Sequence, residues 1–343
     1  MEYCNFGNTG LMVSRLSLGA MTFGEGTLVG ELKTTIDQKT ANEMVEEALA
    51  AGVNLFDTAD MYTTGQSEIV LGKALQGKRQ DALIATKCGF RSGEAILRSG
   101  LSYRYIIQSA EASLQRLGTD CIDLYQLHIP DPWTPVKESA RALEDLQRQG
   151  KIRYSGICNY PAWQTQRLLD LQEGKGWSKS ISSQMYYSLL GRDIEEEVIP
   201  CLQANQTALM VWSPLASGFL TGKYSKEKPV PEDSRRAKFD FPPVNLETGY
   251  QLVDKLQEIG SGHNKSLAST ALAWLLSKSV VSTVILGANK MSQLQDNLTA
   301  ATYRLSPQEV QELDKLSSSS PSYPTWMQAM GHDSQVVEGL SEI

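Results

Sequence analysis

The chain is poor in several things that would each have announced a function. It has only five cysteines and three histidines in 343 residues. Cys4, Cys88, Cys121, Cys158 and Cys201 lie far apart, with no C-x-x-C pair. An odd number of scattered thiols in a chain with ample core material reads as reduced cysteines, not as a disulfide framework. No His, Cys and carboxylate residues recur at ligand spacing, so no metal site is expected. No apolar run approaches the roughly 20 residues that cross a bilayer. The start, "MEYCNFGNTG", lacks the basic and apolar regions of a secretory signal. No basic block stands against a net charge of −7, so neither nucleic acid nor an anionic membrane is the expected partner. The expectation is a soluble, cytoplasmic protein that handles a small molecule. Oligomeric state leaves no mark in the residues.

What is present is alternation. Short apolar or β-branched runs recur at 16–19 (LSLG), 53–56 (VNLF), 82–86 (ALIAT), 122–127 (IDLYQL), 152–157 (IRYSGI), 180–184 (SISSQ), 208–212 (ALMVW) and 283–287 (TVILG). Segments of helical periodicity lie between them. One places Met44, Val45, Ala48 and Leu49 on one face and stops at Gly52. Another aligns Ile106, Ala110, Ser113, Leu114 and Leu117 and stops at Gly118. A third, "TPVKESARALEDLQRQG", opens with a Thr cap and a Pro at the first helical position and stops at Gly150. Strands alternating with helices imply parallel pairing through right-handed crossovers. An open doubly wound sheet would carry G-x-G-x-x-G after its first strand. Here "GAMTFGEG" follows, with the wrong glycine spacing. The expected fold is therefore α/β, a (β/α)8 TIM barrel over about 16–317. A hairpin at 1–15 would plug its lower end, loops would occupy 24–37 and, at greater length, 213–245, and an irregular tail 318–343. Nothing in the composition marks a second domain, so 1–343 is read as one.

In such a barrel, reactive side chains come from the C-terminal ends of the strands. The second strand ends at Asp57, with Tyr62 in its loop. The third ends at Lys87 and the fourth at His128. The fifth runs into Cys158 and Asn159, the sixth ends at Gln184, and the seventh at Trp212–Ser213–Pro214. Taken singly, a strand-end aspartate is a turn former, a lysine is solvated and a histidine is a partnered core residue. Converging on one mouth, they form an acid–base device. A phenol with a pKa near 10 donates poorly at neutral pH; an adjacent ammonium would lower that value, and a carboxylate would hold the ammonium charged. A histidine opposite would orient a substrate oxygen.

The chain resembles the aldo-keto reductases from the hairpin to about residue 317. The resemblance rests on "NLFDTADMY", "IATKCGF", "SLQRLGTDCIDLYQLHIPD", "GKIRYSGICNY", "QMYYSLL", "WSPLASGFLTGKY" and "VILGANKMSQLQDNL", in order and spacing. It is nearer to the branch with bacterial open-chain reductases and potassium-channel β subunits. The likeness implies a nicotinamide nucleotide bound without a Rossmann domain, and a tetrad of Asp57, Tyr62, Lys87 and His128. It also implies that Asn159 and Gln184, beside Cys158, hold the carboxamide, and that Trp212 lies on the nicotinamide ring. Gly19, Met21 and Asp57 would line the same end. Ser213, Pro214, Leu215, Ser217, Gly218 and Lys223 would follow the pyrophosphate, with Arg235 reaching it from the long loop. Gly287, Asn289, Lys290, Gln293 and Asn297 would surround the adenosine 2′-phosphate and adenine.

Two positions depart from the family pattern. Cys158 stands where a serine is common, and a thiol is a weaker donor. Gln293 stands where many members have an arginine, which leaves Lys290 as a point charge for the 2′-phosphate. NADPH is expected ahead of NADH. The implied activity is reduction of an aldehyde or ketone, with Tyr62 as general acid. The alternatives are an alcohol or sugar dehydrogenase running in the oxidative direction and a nucleotide-binding regulatory subunit with weak catalysis. Channel subunits of that branch have asparagine in place of His128, so the complete tetrad favours an enzyme. Phe23, Phe90, Trp133 and Trp212 suggest a pocket with apolar walls, and Tyr323 and Trp326 would either fold over the mouth or pack outside.

Overall fold

The computed structural model of the chain describes residues 1–29, 32–224, 236 and 241–331. Two short antiparallel strands come first, β1 (Tyr3–Asn5) and β2 (Met12–Ser14). Eight parallel strands form a closed barrel. They are β3 (Leu16–Gly19), β6 (Leu55–Asp57), β7 (Leu83–Cys88), β8 (Ile122–Leu127), β9 (Ile152–Cys158), β10 (Ser182–Tyr186), β11 (Ala208–Trp212) and β12 (Val281–Leu286). They follow chain order around the ring until β12 returns to β3. Each of the eight apolar runs in the sequence falls on one of these staves. β8 is buried at all of its positions, as a parallel strand covered on both faces must be.

The helices sit where the periodicity puts them. α1 (Gln38–Ala50) buries Ala41, Met44, Val45 and Ala48 against the barrel, and the Asp37 side chain accepts from the Thr40 amide at 2.8 Å at its start. α2 spans Gln66–Ala74. α3 (Tyr103–Leu117) buries Ile106, Ala110, Ser113 and Leu117 and ends at Gly118, whose φ of 63° suits a residue without a Cβ. α4 (Val136–Arg148) corrects one expectation. Pro135, not Thr134, occupies the cap position, because the Thr134 hydroxyl donates to Asp131 at 2.6 Å.

The β1–β2 hairpin closes the lower end. Phe6 and Val13 are fully buried among Leu55, Ala85, Leu124, Ala208, Met210 and Ile285, so apolar packing stoppers the barrel from below. The opposite rim holds a second hairpin, β4 (Gly24–Val29) with β5 (Leu32–Ile36), where an open loop over 24–37 was expected. Its strands are rich in Gly, Thr and charge, so they carry no alternation of apolar residues to read. The tail adds a helical turn over Thr325–Gln328, tied down by Ser322, whose amide and hydroxyl both donate to Glu196. No helix among the described residues is long and apolar enough to cross a membrane.

Candidate active site

β6, β7 and β8 are adjacent staves, and their upper ends bring the four expected residues together. The Lys87 ammonium donates to Asp57 Oδ1 at 2.5 Å, to the Thr58 carbonyl at 2.7 Å and to the Tyr62 hydroxyl at 3.4 Å. Its side chain is wholly buried. Asp57 Oδ2 accepts from Gln184 at 2.8 Å and from Gln126 at 3.3 Å, so both carboxylate oxygens are matched. The His128 ring stands edge-on to Tyr62, with centroids 5.8 Å apart, and edge-on to Phe90 at 4.7 Å.

The electrostatics follow from burial and these neighbours. Desolvation works against the Lys87 charge, but Asp57, Tyr62 and Cys158 together outweigh it and hold the ammonium above the ordinary lysine value. Burial pushes Tyr62 above the usual phenol value, and Lys87 only partly offsets it. The net direction is therefore upward, not the downward shift expected from the ammonium alone. Tyr62 rests as a protonated donor. Burial, with help from Lys87, pushes His128 well below the usual imidazole range, so the ring is neutral near neutral pH. Its buried Nδ1 has no partner. Placing the single proton on Nε2 leaves only an acceptor unmatched and gives the ring a donor there.

The residues expected around a nicotinamide cofactor ring the same end. Gly19 lies level with Asp57, and a Cβ there would come within 2.8 Å of Ile285 Cγ2. Met21 is half-buried in the turn that follows β3. Asn159, at φ 59°, donates to the His128 carbonyl at 3.0 Å and accepts from the Trp212 indole at 3.0 Å. Gln184 has its amide nitrogen on Asp57, which leaves its oxygen for other donors. The Cys158 thiol points at Gln126 Oε1 across 3.6 Å, and burial holds it well above the ordinary thiol value, so it is inert. Trp212 stacks on Phe241 at 5.7 Å, nearly parallel.

Beyond β11 the chain turns sharply. Ser213, Ala216 and Ser217 are all left-handed, and Pro214 and Leu215 complete the bend. The Ser213 hydroxyl accepts from the Ser217 amide at 3.1 Å. Lys223 folds back over Gly218, where a Cβ would stand 2.9 Å from the ammonium. A cation over a glycine-lined turn suits a pyrophosphate. Arg235 lies outside the described residues. After β12, Gly287, Asn289 and Lys290 are exposed at the start of a helix over Met291–Leu298. Gln293 accepts from the Asn289 amide at 2.9 Å, and the buried Asn297 reaches the Gly287 carbonyl at 3.5 Å. These two hold the loop together, leaving Lys290 as its exposed cation.

Comparison with known proteins bears on this arrangement. The model of the aldo/keto reductase family matches residues 15–318. This chain belongs to that family. It is 32% identical to the versiconal hemiacetal acetate reductase of Aspergillus parasiticus, over 92% of this chain and 96% of the relative. It is 34% identical to a protein of Oryza sativa subsp. japonica named "Probable voltage-gated potassium channel subunit beta", over 94% and 98%. It is 31% identical to the aldo-keto reductase YhdN of Bacillus subtilis (strain 168), over 94% and 96%. As an aldo-keto reductase it is an NAD(P)H-dependent oxidoreductase of a carbonyl-reducing family.

Sequence reading missed Gln126, whose amide is the second donor to Asp57. Its signal was a glutamine near the end of IDLYQL, a buried run whose other strongly polar residue is Asp123. Phe241, the stacking partner of Trp212, gave none. Of the expected aromatic walls, Phe90 lies against His128. Phe23 is buried, whereas Trp133, at 90% exposure, stands clear of the protein. Tyr323 and Trp326 are exposed and pack on each other at 6.0 Å.

Proposed function

We propose that this chain reduces an aldehyde or ketone with NADPH, Tyr62 acting as general acid. The observation that carries the reading is the buried chain from Asp57 through Lys87 to the Tyr62 hydroxyl, at 2.5 and 3.4 Å. NADPH, when bound, supplies a hydride to the carbonyl carbon. Tyr62 gives its hydroxyl proton to the substrate oxygen, and the C=O becomes an alcohol. The tyrosinate left behind is stabilised by Lys87, which Asp57 keeps charged and fixed. His128, neutral and with a donor on Nε2, orients the oxygen without competing as an acid. Trp212 offers a flat apolar face, Asn159 and the free oxygen of Gln184 offer carboxamide partners, and Lys223 and Lys290 offer charge for phosphates. The preference for NADPH over NADH rests on Lys290. The exposed rim, where Trp133 stands out, suits a carbonyl with apolar surface.

The name of the rice relative supports a second reading, a regulatory subunit that binds the nucleotide and turns over slowly. One assay separates them: cofactor consumption with NADPH or NADH against aromatic aldehydes, diketones, sugars and cyclic ketones, beside Tyr62→Phe. The expected result is NADPH oxidation that falls by about 10²-fold or more in the variant, with NADPH affinity unchanged. Comparable turnover in Tyr62→Phe would sink the assignment. NADPH binding without turnover of any carbonyl or alcohol would favour the regulatory subunit.

A further inference from the structure

The turn that carries Tyr62 is wound against the preference of its residues. Thr63 (φ 47°, ψ 41°) and Thr64 (φ 54°, ψ 42°) are both left-handed, and Gly65 follows at φ 88°. The left-handed region is unfavourable for a β-branched residue, and two such residues follow Tyr62 directly. Left to itself this segment would relax and take the phenol with it. Neighbours on both flanks oppose that. On one side lies the β4–β5 hairpin. Gly26 approaches Thr63 so closely that a Cβ there would stand 2.7 Å from Thr63 Cγ2. Thr34, opposite Gly26 in the hairpin register, is buried and shares a 3.3 Å hydrogen bond with the buried Thr63 hydroxyl. Two residues earlier, a Cβ on Gly24 would stand 2.9 Å from that of Gln66, the first residue of α2. On the other side, the Arg116 chain fills the space beside Gly65, held there by its 2.5 Å pair with Glu68.

We propose that the β4–β5 hairpin is a clasp that positions Tyr62, acting through Thr34 and Gly26 on Thr63. Neither residue belongs to the expected tetrad or to the residues expected around the cofactor. They are positioning residues, and the strained turn is the part they set. The hairpin lies on the candidate-site rim and is joined to the barrel by short connections at both ends. Its closure is therefore linked to the 3.4 Å placement of the phenol on Lys87. The proposal rests on the reading of Tyr62 as the acid.

A double-mutant cycle tests it, with Thr34→Val, Thr63→Val and the pair together. Each keeps the branched shape and removes one hydroxyl of the 3.3 Å bond. The readouts are kcat, NADPH affinity by quenching of tryptophan fluorescence, and Tm, with Tyr62→Phe alongside. Thr34→Val is expected to lower kcat about tenfold. NADPH affinity should stay within about twofold, because the cofactor contacts are untouched. In the Thr63→Val background, Thr34→Val should change kcat by less than about twofold, since the hydroxyl then keeps only its long 3.4 Å bond to the Gly26 carbonyl within the hairpin. A kcat near wild type for Thr34→Val, or the same fall in both backgrounds, overturns the clasp. So does a loss of Tm without a loss of kcat. Turnover retained in Tyr62→Phe overturns the acid reading itself, whatever Thr34 does. Turnover lost there, with Thr34→Val at wild-type kcat, overturns the clasp alone.

Discussion

Replacing Asp57 by asparagine tests the buried charge pair most sharply. The carboxylate is matched on both sides: Lys87 on Oδ1, Gln126 and Gln184 on Oδ2. An amide of the same shape cannot be. Whichever way it turns, its NH₂ faces a donor, either the ammonium or the two glutamine amides. An unmatched buried donor costs about 1–3 kcal/mol, and removing one partner of a buried ion pair about 3–5 kcal/mol. Lys87 can limit the loss by giving up its proton. From a reference pKa of about 10.4, doing so near pH 7 costs about 5 kcal/mol, which caps the charge contribution. The sign of the pH dependence follows. In the wild type, Lys87 titrates above its unfolded value. The pair's stabilisation is fully present below that unfolded value and is lost only as pH rises through the folded one, so its contribution is level around neutrality. In Asp57→Asn, burial acts without its largest opponent and the folded value drops below the unfolded one. The unfolded chain then binds the extra proton, and stability rises with pH between the two. Urea unfolding near pH 7 and near pH 9.5 reads this directly. The expectation is a loss of about 3–5 kcal/mol at the lower pH, with on the order of 3 kcal/mol recovered at the higher. A loss under about 1 kcal/mol, parallel to wild type across both pH values, would refute the reasoning.

Two other expectations concern residues further out. Burial raises the Asp60 carboxyl to about 7 against the hydrogen bond from Ser109, and its Oδ1 has no partner. The folded chain therefore holds this proton longer than the unfolded one, and stability falls as pH rises from about 4 to about 7, by up to about 4 kcal/mol. Asp60→Asn should remove that fall, so that urea midpoints at about pH 5 and about pH 8.5 diverge from wild type; parallel midpoints would count against it. Lys290→Ala should weaken NADPH by about tenfold and leave NADH unchanged, since only the former brings a 2′-phosphate to the ammonium. Equal weakening of both in fluorescence titrations would remove Lys290 from that role.

The barrel was legible because its staves are buried on both faces and so carry dense apolar runs, and because glycines such as Gly52, Gly118 and Gly150 mark the helix ends. The four residues of the site were legible through their place at strand ends, a consequence of the fold. Much of what escaped depends on partners distant in sequence, and one case on a rival partner close by. Gln126 matters through Asp57, 69 residues away. The β4–β5 hairpin presents Gly and Thr rather than apolar alternation, so it read as a loop. The Thr134 hydroxyl was taken by Asp131 from its own loop, and the upward shift of Tyr62 depends on how deeply the phenol is buried, which no spacing reveals. Arg235 falls outside the described residues, and its expected contact stays untouched.

The order of staves around the ring divides the labour of the chain. Asp57, Tyr62, Lys87 and His128 rise from β6, β7 and β8, three neighbours in the first half of the sequence. The residues proposed to hold the nucleotide rise mostly from β9 to β12, the neighbours that follow. A single cut between β8 and β9 therefore separates the residues proposed to deliver the proton from most of those proposed to hold the cofactor. Grafting a second half from a relative with a different nucleotide preference should move that preference while leaving the phenol, the ammonium and the carboxylate on their original backbone. The links to rebuild would be those that cross the seam: the Gln184 amide on Asp57, the Asn159 amide on the His128 carbonyl and the Cys158 thiol on Gln126.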